Sequence, residues 1–158
     1  MTTDVTTAED RLGKLGIQLP AAPTPFGAYV PAVQTGNLLF LSGMLSTSGH
    51  TATVVGVVGK GLDVKAGREA AHTAALNALA LTRKQLGSLN RVSRVVRLGV
   101  SVATAPEFTE HPKVADAASE LLRDVFGEET VSSRLVIGVA SLPLGSPVEL
   151  EVILEVKP

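Results

Sequence analysis

The chain has 158 residues, no cysteine and a formal net charge of −1, and aromatic residues make up 3% of it. Without thiols there is no disulfide framework and no thiol chemistry, and without a basic stripe or stacking rings nucleic-acid binding has no support. Hydrophobic residues reach 45% and charged ones only 18%, against roughly 25% charged in average usage, so either the core is large or apolar surface closes against another subunit.

The length fits one domain, 1–158, with a short N-terminal extension over about 1–27. MTTDVTTAEDR has neither a basic n-region nor an apolar h-region, so no signal peptide is expected. No apolar run approaches the ~18–20 residues of a membrane span. The expectation is a soluble cytoplasmic protein. Residues 2–15 read as a short helix capped by Asp4, Thr6 or Thr7 and ended by Gly16. LPAAPTPFG, 19–27, is an extended arm with three prolines. AYVPAVQTGNLLFLSG, 28–43, reads as a hairpin turning at Thr35-Gly36-Asn37, with Pro31 at an edge or bulge. Residues 44–62 are rich in glycine and threonine, with a weak strand at TATVVGVV.

The clearest element follows. Asp63 can cap a helix that Gly87 can end, with Ala71, Ala74, Ala75, Ala78 and Leu81 as an apolar stripe and Lys65, Arg68, Glu69 and His72 opposite. RVVRLGVSVAT, 94–104, is a half-buried strand with Val96, Leu98, Val100 and Val102 on one face. A second helix covers about 112–126, from Pro112 to a stop at Gly127. SSRLVIGVASLPLGSPVELEV, 132–152, reads as a strand, a Pro-Gly turn and a second strand, a closing hairpin. Val148, Leu150, Val152, Leu154 and Val156 share one face of the last strand, and Glu149, Glu151 and Glu155 take the other. Two long helices after strand pairs predict an α+β fold with helices on one sheet face.

Much chemistry is missing. His50, His72 and His111 form no pair at ligand spacing, so no zinc site is expected. There is no GxSxG elbow, and GVVGKG (56–61) matches no nucleotide loop. A small polar set remains: Arg134, Glu149, Glu151, Tyr29 and Asp116. Arg134 cannot shed its charge and needs an anion. That anion is either Glu149 or Glu151 on the next strand, in a structural salt bridge, or a substrate carboxylate held by a bidentate clamp.

These segments together resemble the RidA family, also called YjgF proteins, of reactive-intermediate deaminases. The resemblance runs over about residues 8–157. It is carried by AYVPAVQTGNLLFLSG, AALNALA, FTEHPKVADAASELLRDVFGEE and, most specifically, SSRLVIGVASLPLGSPVELEV. The N-terminal extension and the PKVADAASELLRDVFG helix look like a longer-chain subgroup. The resemblance implies a chorismate-mutase-like α+β fold and a homotrimer, with a central barrel inside, helices outside and ligand clefts between subunits. It implies hydrolysis of 2-aminoacrylate and related enamines or imines to 2-keto acids and ammonia, with no metal or organic cofactor. Arg134 would hold the substrate carboxylate, Glu149 would position water and Tyr29 falls on the family tyrosine. Gly43, Asp116 and Val136 would line the substrate cleft. An older label, endoribonuclease, gains nothing from the composition.

The sequence departs from the family pattern at several places. Ser133 and Leu135 flank the arginine, Val136 stands where Cys or Ala is frequent, Met44 replaces an amide after Ser42-Gly43, and Asp116-Ala117 replaces Asn-Gly. A carboxylate at Asp116 facing the cleft would oppose an anionic ligand. The competing expectation is therefore a non-catalytic trimer that binds a small metabolite or a partner protein in the same clefts.

Overall fold

Thr7 opens the first helix. The structure, a computed structural model, describes residues 5–158. Helix α1 (Ala8–Lys14) begins with a reciprocal cap: the Thr7 hydroxyl accepts the Asp10 N–H, and the Asp10 carboxylate accepts the Thr7 N–H. The helix is shorter than the predicted 2–15. Thr7 is its cap, and Asp4 lies outside the described residues. Glu9 anchors it. Arg83 grips the Glu9 carboxylate in a fork of 3.1 and 2.5 Å, and the Leu89 N–H donates to it as well. The Arg83 bond, foremost, holds this carboxyl below the usual range.

A six-stranded sheet forms the body of the protein. Strands β1 (Ala32–Thr35) and β2 (Leu38–Leu41) make the predicted hairpin around Gly36-Asn37. Residues 44–62, expected to hold one weak strand, form five two-residue pieces: β3 (Met44–Leu45), β4 (Thr47–Ser48), β5 (Thr51–Ala52), β6 (Val57–Val58) and β7 (Gly61–Leu62). Only β3 joins the main sheet. Helix α2 (Val64–Leu86) runs from the Asp63 cap to Gly87, which ends it at φ +83°. Ala70, Ala71, Ala74, Ala75 and Ala78 are buried, and side chains this small let the helix lie close to the sheet.

Strand β8 (Val92–Ala103) leads through helix α3 (His111–Phe126) to β9 (Ser133–Val139), which lies parallel to β8. A parallel pair needs a crossover, and α3 supplies it. Strand β10 (Val148–Val156) pairs antiparallel with β8 on one side and with β2 and β3 on the other. The order is β1-β2-β10-β8-β9. The expected closing hairpin is therefore corrected: β9 and β10 do not pair, because twelve-residue β8 lies between them and offers an edge to each.

Helices α2 and α3 pack against one face of the sheet. Val148, Leu150, Val152, Leu154 and Val156 point into that core as expected. On β8 one assignment shifts. The register with β10 skips Val96, a bulge, so Val95 and not Val96 precedes Leu98, Val100 and Val102 in the core. The other sheet face is open and carries Val33, Phe40, Leu135 and Ile137, each roughly half exposed.

Candidate functional site

Glu149 is an outward-facing residue of β10, paired in register with Leu45 of β3 and Ser101 of β8. The strand alternation that buries Val148 and Leu150 turns Glu149 away from the helices. Its carboxyl rests on Gly43. A Cβ at position 43 would lie 3.1 Å from Glu149 Cδ and closer still to Oε1. The absence of a side chain at Gly43 makes the space for this carboxyl. Burial pushes the Glu149 carboxyl above the usual range.

Around it opens a cavity of about 550 Å³, walled by Phe26, Tyr29, Ser42, Gly43, Leu144 and the carboxyl itself. Tyr29 sits at the end of the proline-rich arm. Its hydroxyl oxygen accepts the Phe26 N–H at 2.9 Å and keeps its own proton to donate. Ser42 is turned away: its hydroxyl donates to the Val30 carbonyl at 2.6 Å. Glu149 also lines a second cavity of about 420 Å³ on the open sheet face, together with Arg97, Leu135, Ile137 and Glu151.

Arg134 occupies a different place. It lies on edge strand β9, opposite Leu98, and its guanidinium turns toward α3. Nη1 donates to Asp116 at 2.7 Å and to the Ser119 hydroxyl at 3.0 Å. Neither Glu149 nor Glu151 is the counter-ion. That expectation fails because β9 is not adjacent to β10, and Glu151 pairs with Arg97 across β10 and β8. Asp116 is the anion that the sequence left unassigned. Its side chain keeps 48% of its exposure, and that of Arg134 keeps 25%, so the pair is partly open to solvent.

The structure thus divides the sequence-derived site in two. Tyr29, Gly43 and Glu149 share one cavity. Arg134, Asp116 and Val136 belong to the β9–α3 side, and Arg134 lines neither cavity that Glu149 lines. Val136 is half-buried and packs on the core, whereas Leu135 faces the open sheet side. Met44 lies in the core, 5% exposed and paired with Leu150, and does not line the Glu149 cavity.

Two contributors escaped the sequence reading. Asn77, buried in the middle of α2, donates from its amide to the Leu45 and Thr47 carbonyls at 3.1 and 3.0 Å. It ties the segment following Gly43 to the helix layer. A polar residue inside the alanine-rich AALNALA stretch was the available signal. Phe26 is the other, hidden in an arm without periodicity. Among the described residues, no group of three or more His, Asp or Glu side chains stands close enough to hold a metal ion, and no helix is long and apolar enough to cross a membrane.

Comparison with known proteins matches this architecture. Residues 9–156 match the family described as "YjgF/chorismate_mutase-like, putative endoribonuclease". The chain is 42% identical over 145 residues to protein TCP17 of Trypanosoma cruzi, covering 91% of each chain. It is 30% identical over 142 residues to the 2-iminobutanoate/2-iminopropanoate deaminase of Dermatophagoides farinae, covering 89% of this chain and 95% of that one. The crystal structure of protein Atu1372 from Agrobacterium tumefaciens superposes with a TM-score of 0.87 at 39% identity, covering 95% of this chain and 92% of that one.

Proposed function

The chain belongs to the YjgF/RidA family, and on that premise we propose that it hydrolyses small 2-imino acids to 2-keto acids and ammonia at sites shared between subunits. The observation that carries the reading is the Glu149 carboxyl, cradled on Gly43 beside Tyr29 in an open cavity and raised in proton affinity by burial. A relative named as an imino-acid deaminase supports the reaction class.

A protonated imine carbon is already electrophilic, so the protein need supply only placement and proton transfer. Glu149 takes a proton from water as the water oxygen bonds to the imine carbon. The resulting carbinolamine collapses as that proton passes to nitrogen. The C–N bond breaks, ammonia leaves, and the hydroxyl proton passes to the Glu149 carboxylate and on to solvent, so that the keto acid remains. A carboxyl with raised proton affinity suits both halves of this relay. Tyr29, with a proton to donate, hydrogen-bonds the ligand.

The ligand carboxylate needs a cation, and within one chain Arg134 does not line the cavity of Glu149. In the proposed homotrimer the open sheet faces, with Val33, Phe40, Leu135 and Ile137, close on one another. That brings β9 of one subunit beside the Glu149 cavity of the next. The ligand carboxylate then replaces Asp116 on the guanidinium in a charge-assisted, forked contact.

One observation favours a second reading. Arg134 already has an anion in Asp116, which suits a trimer that binds a metabolite or partner without catalysis. Turnover of freshly generated 2-aminoacrylate, produced by a dehydratase in the same cuvette, separates the two. Catalytic release of pyruvate and ammonia above the spontaneous rate, abolished in Glu149→Gln, supports the hydrolase. Binding of keto acids without any rate enhancement supports the binder.

A further inference from the structure

The turn before β10 holds Leu144 in the left-handed region, at φ +59° and ψ +10°, the one non-glycine residue with positive φ among the described residues. A branched aliphatic side chain is disfavoured there. Neighbouring contacts hold it in place: the Gly145 carbonyl accepts the Gly56 N–H at 3.0 Å, and a Cβ on Gly145 would lie 2.7 Å from Val55 Cγ1. The turn therefore presses on the 54–56 loop and projects Leu144 outward, 46% exposed, into the wall of the Glu149 cavity.

Phe26 lines the same cavity. Its backbone N–H is fixed by the Tyr29 hydroxyl, and its ring stacks on His50 with centroids 4.2 Å apart. His50 is in turn bonded to the Thr24 hydroxyl at 2.8 Å. The ring remains 42% exposed. Two large apolar side chains are thus held half-exposed around one carboxyl, one of them on a strained backbone. Strain of this kind persists where the surroundings over-determine it, and it clusters at ligand sites.

We infer that Phe26 and Leu144 form an apolar seat for the ligand's side chain, which makes the site selective for 2-imino acids with branched aliphatic or aromatic side chains over three-carbon ones. The inference rests on the reading of the Glu149 cavity as an imino-acid site.

The test generates imines in situ from alanine, leucine and phenylalanine with an amino-acid oxidase and measures their hydrolysis by wild type, Phe26→Ala and Leu144→Asn. Asparagine adopts the left-handed conformation readily, so the second variant keeps the turn while removing the apolar wall. A single methylene in an apolar pocket is worth about 10–200-fold in discrimination. Wild type is therefore expected to favour the leucine-derived imine over the alanine-derived one by about tenfold or more in kcat/KM, and each variant to lower that ratio by about five- to tenfold. Equal kcat/KM for all three imines in the wild type overturns the seat and leaves the hydrolase reading standing. So does a variant that changes the oligomeric state but not the ratio, since its residue then packs between subunits. No hydrolysis of any imine overturns the hydrolase reading and the seat together.

Discussion

Arg134 on β9 and Asp116 on α3 are joined by a 2.7 Å ion pair at the protein surface. The arginine proposed to receive the ligand thus holds a carboxylate of the protein's own, and an incoming anion must displace it. Exposed pairs contribute about 0.2–1 kcal/mol, a barrier that a forked ligand contact exceeds. Asp116→Asn is therefore expected to tighten 2-keto acid binding by up to about fivefold, read by titration calorimetry. Unchanged affinity for every keto acid tested would place this pair outside the ligand's reach.

Removing the arginine has the opposite effect. Charge-assisted bonds to a carboxylate contribute roughly 1.5–3 kcal/mol, so Arg134→Ala is expected to weaken keto-acid binding about ten- to a hundredfold or more. Its melting temperature stays nearly unchanged, because the lost pair is exposed and Asp116 returns to water. Arg134→Lys recovers only part of the affinity, since an ammonium lacks the planar fork. A large fall in melting temperature with unchanged affinity would make Arg134 a structural residue.

Glu149 links activity and stability through pH. Its folded-state carboxyl binds a proton more tightly than the ordinary value of 4.5 because of burial. Below that ordinary value both folded and unfolded chains hold the proton, and the group costs nothing. As pH rises through the folded value, the unfolded chain is already ionised and is favoured, so stability falls. Glu149→Gln removes this loss. The variant is expected to melt higher than wild type at pH 8, with the difference closing toward pH 4, while imine turnover drops about 10²–10⁴-fold. Equal turnover in the two proteins would contradict the proton-relay role.

Asn77 supports the cavity from beneath. Asn77→Ala leaves the Leu45 and Thr47 carbonyls without their donor in a buried setting, and each orphaned acceptor costs about 1–3 kcal/mol. For a domain of this size, a loss of about 2 kcal/mol lowers the melting temperature by roughly 4–8 °C. Thermal denaturation checks this, and an unchanged melting point would mean that the β3–β4 segment does not depend on α2.

Helix α2 was legible because its signals are local: Asp63 at one end, Gly87 at the other and an alanine stripe between. The alternation of β10 was legible for the same reason. Strand pairing is not local. Nothing in 132–152 reveals that β8 inserts between β9 and β10, and so nothing there reveals that the counter-ion of Arg134 lies on α3 rather than on β10. At Val96 a bulge breaks the period of two without any mark in composition. The closeness of Gly43 to Glu149 depends on β3 pairing with β10 over a separation of about one hundred residues. Only the family resemblance, and no spacing within the chain, pointed to those residues together. Leu144 was invisible, since its strain exists only in the folded turn.

The division of Arg134 from the Glu149 cavity leads to the most direct test of a site shared between subunits. Arg134→Ala and Glu149→Gln are each expected to be inactive toward 2-aminoacrylate alone. Co-expressed with different tags and purified as mixed assemblies, they are expected to regain activity, because some interfaces then join an intact Arg134 to an intact Glu149. With random mixing in a closed ring, about one site in four is restored. Recovery of about a quarter of the wild-type rate would support the shared site. Mixed assemblies as inactive as either variant, beside an active wild type, would contradict it.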